Sequence, residues 1–131
     1  MQWDGTRNAG FSSAEKTWLP VHPNHVNVNV ENESKDSKSL LNTIKTLIKF
    51  RNGNQAIKEG SFEFLEGLPA GVLGYARKTD GQKLLVLLNF DEKVKDVKLN
   101  FSEAVYRLTV RDEAKDGTAH LSGFGGLILS S

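Results

Sequence analysis

Cysteine is absent from these 131 residues, so no disulfide framework and no thiolate metal site can form, although cysteine-free chains occur in several compartments. No run approaches the roughly 18 apolar residues that a membrane-spanning helix needs. The opening residues Met1-Gln2-Trp3-Asp4-Gly5 lack the basic-then-apolar order of a signal peptide, so a soluble chain is expected, cytoplasmic or periplasmic alike. Charge of one sign is missing too. The 17 Lys and Arg offset 16 Asp and Glu to a formal +1 with no basic stripe, which removes the electrostatic footprint of a nucleic-acid binder. A chain of this length holds one domain with an appendage, not two full domains.

What is present changes character along the chain. Met1 to about Asp36 has no sustained helical period, only Val26, Val28 and Val30 alternating with asparagines amid Gly, Ser and Pro, and reads as a long structured loop. A loop that long is usually functional or held by something else. Leu40, Leu41, Ile44, Leu47 and Ile48 then fall on one face at helical spacing, with Asp36 or Ser37 as N-cap and Asn52-Gly53 as the stop. A lone amphipathic helix of about 14 residues cannot cover its own apolar stripe.

From Ala56 the chain reads as short strands, and helical periodicity does not return. The runs are Ser61 to Glu66, Gly71 to Lys78, Leu84 to Phe90, Val94 to Phe101, Ala104 to Arg111 and Gly125 to Leu129. Asp80-Gly81 between two β-rich runs predicts a hairpin whose turn residues can take positive φ. Leu84 to Phe90 is apolar without alternation, so both its faces should be covered. The spacing fits an antiparallel sandwich.

The runs Met1-Gln2-Trp3-Asp4, Asn8-Ala9-Gly10-Phe11, Trp18-Leu19-Pro20-Val21 with Pro23-Asn24, and Asn29-Val30-Glu31 together resemble one family. They look like the segment after the last barrel strands in α-glucosidases, oligo-1,6-glucosidases and trehalose synthases of the α-amylase superfamily, glycoside hydrolase family thirteen. Asp36 to Arg51, with Leu41-Asn42 and Leu47-Ile48, resembles the helix that follows, and Asn89-Phe90 resembles the family's C-terminal domain. Departures fall at Thr17, His22, His25, Glu33 and Gln55. The resemblance implies a mainly β fold: a barrel-derived loop and last helix of a (β/α)8 barrel over 1–54, then a C-terminal antiparallel β-sandwich over 55–131.

Retaining glycoside hydrolysis needs two carboxylates about 5 to 5.5 Å apart, one nucleophile and one general acid. In the resembled family these sit on earlier barrel strands, so no catalytic residue is expected in this chain; Asp4 is the most tempting carboxylate, but the preferred reading is a loop turn residue. Gln2, Trp3, Asp4, Arg7, Asn8 and Phe11 combine amides, charges and aromatic faces suited to sugars, and the resemblance places them beside the active-site mouth. The alternative is that Trp3, Phe11 and Trp18 pin the loop to the barrel wall and that Arg7 forms a loop salt bridge. His22 and His25 have no third ligand, and no metal or cofactor is expected. Gly123, Gly125 and Gly126 read as a tight turn rather than a phosphate loop, because no helix follows.

The implied role is a non-catalytic C-terminal region of an α-glucoside-acting hydrolase, with the catalytic barrel as partner and an α-linked oligosaccharide as the parent's ligand. Neither nucleic acid nor membrane is an expected partner, and the exposed apolar helix face can support self-association. Two alternatives differ in class: a trehalose-synthase-type isomerase as parent, and a free-standing carbohydrate-binding module. The latter needs an aromatic platform on the sandwich, and Tyr75 and Tyr106 are expected to point into the core instead.

Overall fold

The computed structural model describes residues 1–131. Two units make up the chain, Met1–Phe50 and Arg51–Ser131.

In the first unit the stretch expected to be loop carries short helical elements. There are 3-10 turns at Arg7–Gly10 and Pro23–Val26 and a helix α1 (Val30–Lys35). Side chains close to each start, rather than an apolar period, produce the second turn and α1. The His22 ring nitrogen accepts from the Asn24 N–H, and Asn29 Oδ1 accepts from the Asn32 N–H at 2.8 Å. One or two turns of helix are too short to display a stripe.

Helix α2 (Leu40–Asn52) falls where the periodicity places it, but its cap differs from the expected Asp36 or Ser37. Ser39 Oγ accepts from the Asn42 N–H at 3.1 Å, and Glu33 Oε2 accepts from the Leu41 N–H at 3.1 Å. Asp36 instead turns the chain ahead of the helix, accepting from the Lys38 N–H. Leu40, Ile44 and Ile48 remain exposed along α2.

The second unit opens with a helix that the strand-only reading missed. This is α3 (Gln55–Glu59), five residues long, with Ala56 fully buried. It lies against β2 (Val72–Thr79) and β3 (Gln82–Asn89), where Arg77 Nε donates to the Ala56 carbonyl at 3.2 Å. With β1 (Ser61–Phe64), β4 (Lys95–Lys98), β5 (Glu103–Arg107), β6 (Glu113–Lys115), β7 (Thr118–Leu121) and β8 (Gly126–Ser130), the strands form two antiparallel sheets. Their orders are β1-β2-β3-β8-β5 and β4-β7-β6.

One core joins the sheets: Ala76, Leu85, Leu87, Leu127 and Leu129 meet Val97, Ala119 and Leu121. Burying a leucine fully is worth about 1.5–3 kcal/mol. As the unbroken apolar run requires, Leu84, Leu85, Val86 and Leu87 of β3 are all buried.

The β2–β3 hairpin turns at Asp80-Gly81, Thr79 pairing with Gln82, but neither turn residue takes positive φ. That geometry occurs at an Asp-Gly the sequence reading passed over. Asp116 (φ 50°) and Gly117 (φ 71°) link β6 to β7 in a two-residue, left-handed turn of the I′ kind, Lys115 pairing with Thr118.

Beneath the neighbouring loops lies a fully buried carboxylate, Asp112. It accepts from the N–H groups of Thr109, Ser122 and Gly126 and from the Ser122 hydroxyl, at 2.7–3.0 Å. Burial pushes this carboxyl up, but the hydrogen bonds from Ser122, Gly126 and Thr109 together hold it below its ordinary value.

Candidate functional site

Backbone hydrogen bonds tie the opening residues to the entrance of α1. Gln2 and Trp3 carbonyls accept from the Val30 and Glu31 N–H groups at 2.9 Å each, and the Trp3 N–H donates to the Ala9 carbonyl at 2.9 Å. Gln2 Nε2 donates to the Val28 carbonyl. Asn29, nearly fully buried, caps α1 and donates to the His25 carbonyl at 2.7 Å. The Gln-Trp-Asp and Asn-Val-Glu runs are therefore neighbours in space.

Asn8, Ala9 and Gly10 stand in succession in the left-handed region, at φ 59°, 52° and 69°. For Ala9, which is fully buried, that conformation costs about 1–2 kcal/mol. Asn8 Nδ2 pins the turn by donating to the Ser12 and Ala14 carbonyls at 3.2 and 2.7 Å. At Gly10 a side chain is excluded twice: by its φ and by the Asp4 carboxylate, whose Oδ2 would lie 2.3 Å from an added Cβ.

Asp4 Oδ1 accepts from the Thr6 hydroxyl at 2.5 Å and from its N–H at 2.8 Å. Those bonds, the hydroxyl's first, hold the carboxyl below its ordinary range, with a smaller contribution from His25. A carboxylate kept ionised this way suits accepting hydrogen bonds and does not suit donating a proton. Arg7 donates through Nη2 to the Glu15 carbonyl, within the same loop.

Of the six sequence-predicted residues, Gln2, Asp4, Arg7 and Asn8 thus have polar groups engaged in holding the loop. Trp3 and Phe11 keep about half their surface open, and Trp18 is 97% exposed. Sequence reasoning missed Asn29 as a buried cap and Ala9 as a left-handed position; only the Asn-Ala-Gly order hinted at the latter. Next to these residues an open groove of about 440 Å³ is lined by Gln2, Val28, Val30, Leu40, Leu41 and Ile44 among others. Its apolar walls offer few partners for sugar hydroxyls and suit packing against protein.

His22 and His25 act as turn residues: His22 Nδ1 lies 2.6 Å from Asn24 Oδ1, and His25 Nδ1 lies 3.0 Å from the His22 carbonyl. His120 Nδ1 faces Asp96 Oδ1 at 2.7 Å. The segment before β8 is a tight turn, the Gly125 N–H donating to the Ser122 carbonyl at 2.9 Å.

Tyr75 and Tyr106 do not alternate into the core. Across the five-stranded sheet Tyr75 aligns with Val86, Val86 with Ile128 and Ile128 with Tyr106, a row on the face opposite the core. Both tyrosines are partly buried, and the Tyr75 ring stacks on Phe62 at 4.9 Å.

A family model described as the α-amylase catalytic domain matches residues 1–60. Maltase 1 of Drosophila virilis is 32% identical over an alignment covering 98% of this chain and 22% of that protein. An oligo-1,6-glucosidase of Bacillus cereus is 33% identical over 69% of this chain and 16% of its own length. Among solved structures, the trehalulose synthase MutB of Pseudomonas mesoacidophila MX-45 superposes on 98% of this chain with a TM-score of 0.88 at 28% identity, covering 24% of that protein. The chain spans about a quarter or less of the length of the relatives it matches.

Proposed function

This chain belongs to the α-amylase superfamily, and from that premise we propose that it is a non-catalytic C-terminal region of an α-glucoside-acting glycoside hydrolase. On this reading its β-sandwich packs on and stabilises a catalytic barrel. Residues 1–54 supply barrel-derived loop and last helix, and 55–131 the C-terminal domain. The observation that carries it is a difference in reach. The catalytic-domain match stops at residue 60, whereas the structural likeness continues through the sandwich.

The loop around Gln2, Asp4, Arg7 and Asn8 then forms part of the wall beside the sugar site, braced from within. Trp3 and Phe11 are the side chains left free to meet an α-linked oligosaccharide or the barrel. The nucleophile and the general acid lie on the barrel. A parent that isomerises rather than hydrolyses is a second reading, favoured by the likeness to a trehalulose synthase. Retaining hydrolysis and such an isomerisation share a glycosyl-enzyme intermediate and differ in whether water or a sugar hydroxyl attacks it. A free-standing carbohydrate-binding module finds less support, because Tyr75 and Tyr106 are both partly buried and neither tryptophan lies in the sandwich.

Hydrolysis of p-nitrophenyl α-glucoside tests the proposal. The 131 residues alone are expected to give no turnover, and the same residues joined to a catalytic barrel to restore it. Turnover by the 131 residues alone overturns the non-catalytic reading. Calorimetric binding of maltooligosaccharides by this chain, without turnover, would move the assignment to a binding module.

A further inference from the structure

Helix α2 has two sides of opposite chemistry. At about 3.6 residues per turn, Asn42, Lys45, Thr46 and Lys49 project on the side opposite the exposed stripe of Leu40, Ile44 and Ile48. A surface lysine gains from a carboxylate three or four residues away along a helix. Lys45 and Lys49 have none: Asp and Glu are absent from α2 altogether. The two lysines instead face each other one turn apart, a like-charge pair that costs the helix stability. Neither takes part in an ion pair.

A third ammonium comes from the end of α1. Ser34 and Lys35 of α1 and Ser37 of the turn after it complete an open groove of about 380 Å³ with Lys45 and Lys49, and no carboxylate lines it. Lys35 meets Glu31 at 2.7 Å, but on the open surface, where such a pair contributes little. The corner that carries these groups is braced from within. Asn42 Nδ2 donates to the Glu33, Ser34 and Asp36 carbonyls at 2.8–3.3 Å, satisfying carbonyls at the end of α1 and in the turn after it. The Thr46 hydroxyl donates to the Asn42 carbonyl at 2.9 Å. The side chains left to meet a ligand are donors: three ammoniums and the exposed hydroxyls of Ser34 and Ser37.

We propose that this corner between α1 and α2 binds a phosphoryl group, as free phosphate or as the phosphate of a sugar ester. A phosphate dianion relieves the repulsion among three uncompensated cations and carries enough acceptor oxygens to engage several of the donors at once. Lysines supply compact point charge to such a group, and the serine hydroxyls add hydrogen bonds beside it. The site goes beyond the barrel-packing reading and does not depend on it, because it faces away from the apolar stripe of α2.

Titration of the isotopically labelled 131-residue chain with sodium phosphate, and separately with glucose 6-phosphate, tests the site through the amide resonances at constant ionic strength and neutral pH. Saturable shifts are expected at the amides of residues 34–37 and 45–49, and none with glucose. Equal affinities for the two anions assign the site to the phosphoryl group alone, whereas tighter binding of the ester assigns it to a sugar phosphate. Lys45→Gln and Lys49→Gln are each expected to weaken binding by about tenfold, the loss of one charge-assisted hydrogen bond. Lys115→Gln, on the sandwich, should leave it unchanged. Glutamine suits an exposed helix as well as lysine does, so these variants keep the fold. Shifts that grow without saturating, or that persist when Lys45 and Lys49 are both replaced, overturn the site. Saturable shifts confined to the sandwich, around Lys83 and Lys98, place the anion elsewhere and overturn it equally.

Discussion

Asp112 accepts four hydrogen bonds at the centre of the sandwich's loop structure. Four donors from three residues converge on one buried carboxylate, tying the β5–β6 loop to the turn that enters β8. Asp112→Asn keeps the shape but turns an amide N–H₂ toward at least one backbone N–H, which can only donate, so a cost of about 2–3 kcal/mol is expected in urea unfolding at neutral pH. The sign of the pH dependence follows from the depressed carboxyl. Its contribution is present above the ordinary value of 3.8 and is lost as the pH falls through the lower value of the folded chain. The stability gap between parent and variant should therefore narrow on acidification; a gap that stays constant through the acid range would mean that the carboxylate's charge is not what holds the loops. None of this is legible in the sequence, where Arg111-Asp112-Glu113 looks like an ordinary charged turn.

At the scale of elements, two Asp-Gly pairs that look alike in sequence behave differently. Gly117 needs its left-handed backbone, at φ 71°, and an added Cβ there would meet nothing closer than 3.8 Å, so the cost of Gly117→Ala is conformational and about 1 kcal/mol. Gly81 does not take positive φ and faces open space, so Gly81→Ala should lie within about 0.5 kcal/mol of the parent. Chemical denaturation of the two variants compares them directly, and equal losses would refute the distinction. The stronger sequence signal located the β2–β3 hairpin because long apolar strands flank it. The β6–β7 hairpin escaped because Glu113, Ala114 and Lys115 bury little and show no apolar run. The helices α1 and α3 escaped for a related reason: they are set by caps and by tertiary seating, at lengths where no period can appear. By contrast α2 and β3 were legible because burial, or the demand for it, is written into consecutive residues.

For the molecule as a whole, the question is what its exposed apolar surface does when the chain stands alone. The candidate loop was legible as a set of sugar-compatible residues, but not as a braced turn, because the left-handed run at Asn8–Gly10 depends on Asp4 and on carbonyls several residues away. The helical stripe was legible and so was its lack of a cover: Leu40 is 72% exposed, and Ile44 and Ile48 are open beside it. Three large aliphatic side chains on one face favour self-association at high concentration, since each pair brought together removes apolar area at about 25 cal/mol per Å². Sedimentation of the 131-residue chain should therefore depend on concentration. Replacing Leu40→Lys and Ile44→Lys should shift it toward monomer with helicity retained, because exposed positions tolerate lysine in a helix. A chain that sediments as monomer at every concentration would remove the helix face as an association surface. Association that survives both substitutions would place it elsewhere, on the aromatic face of the sandwich or along the exposed Trp18-Leu19 segment.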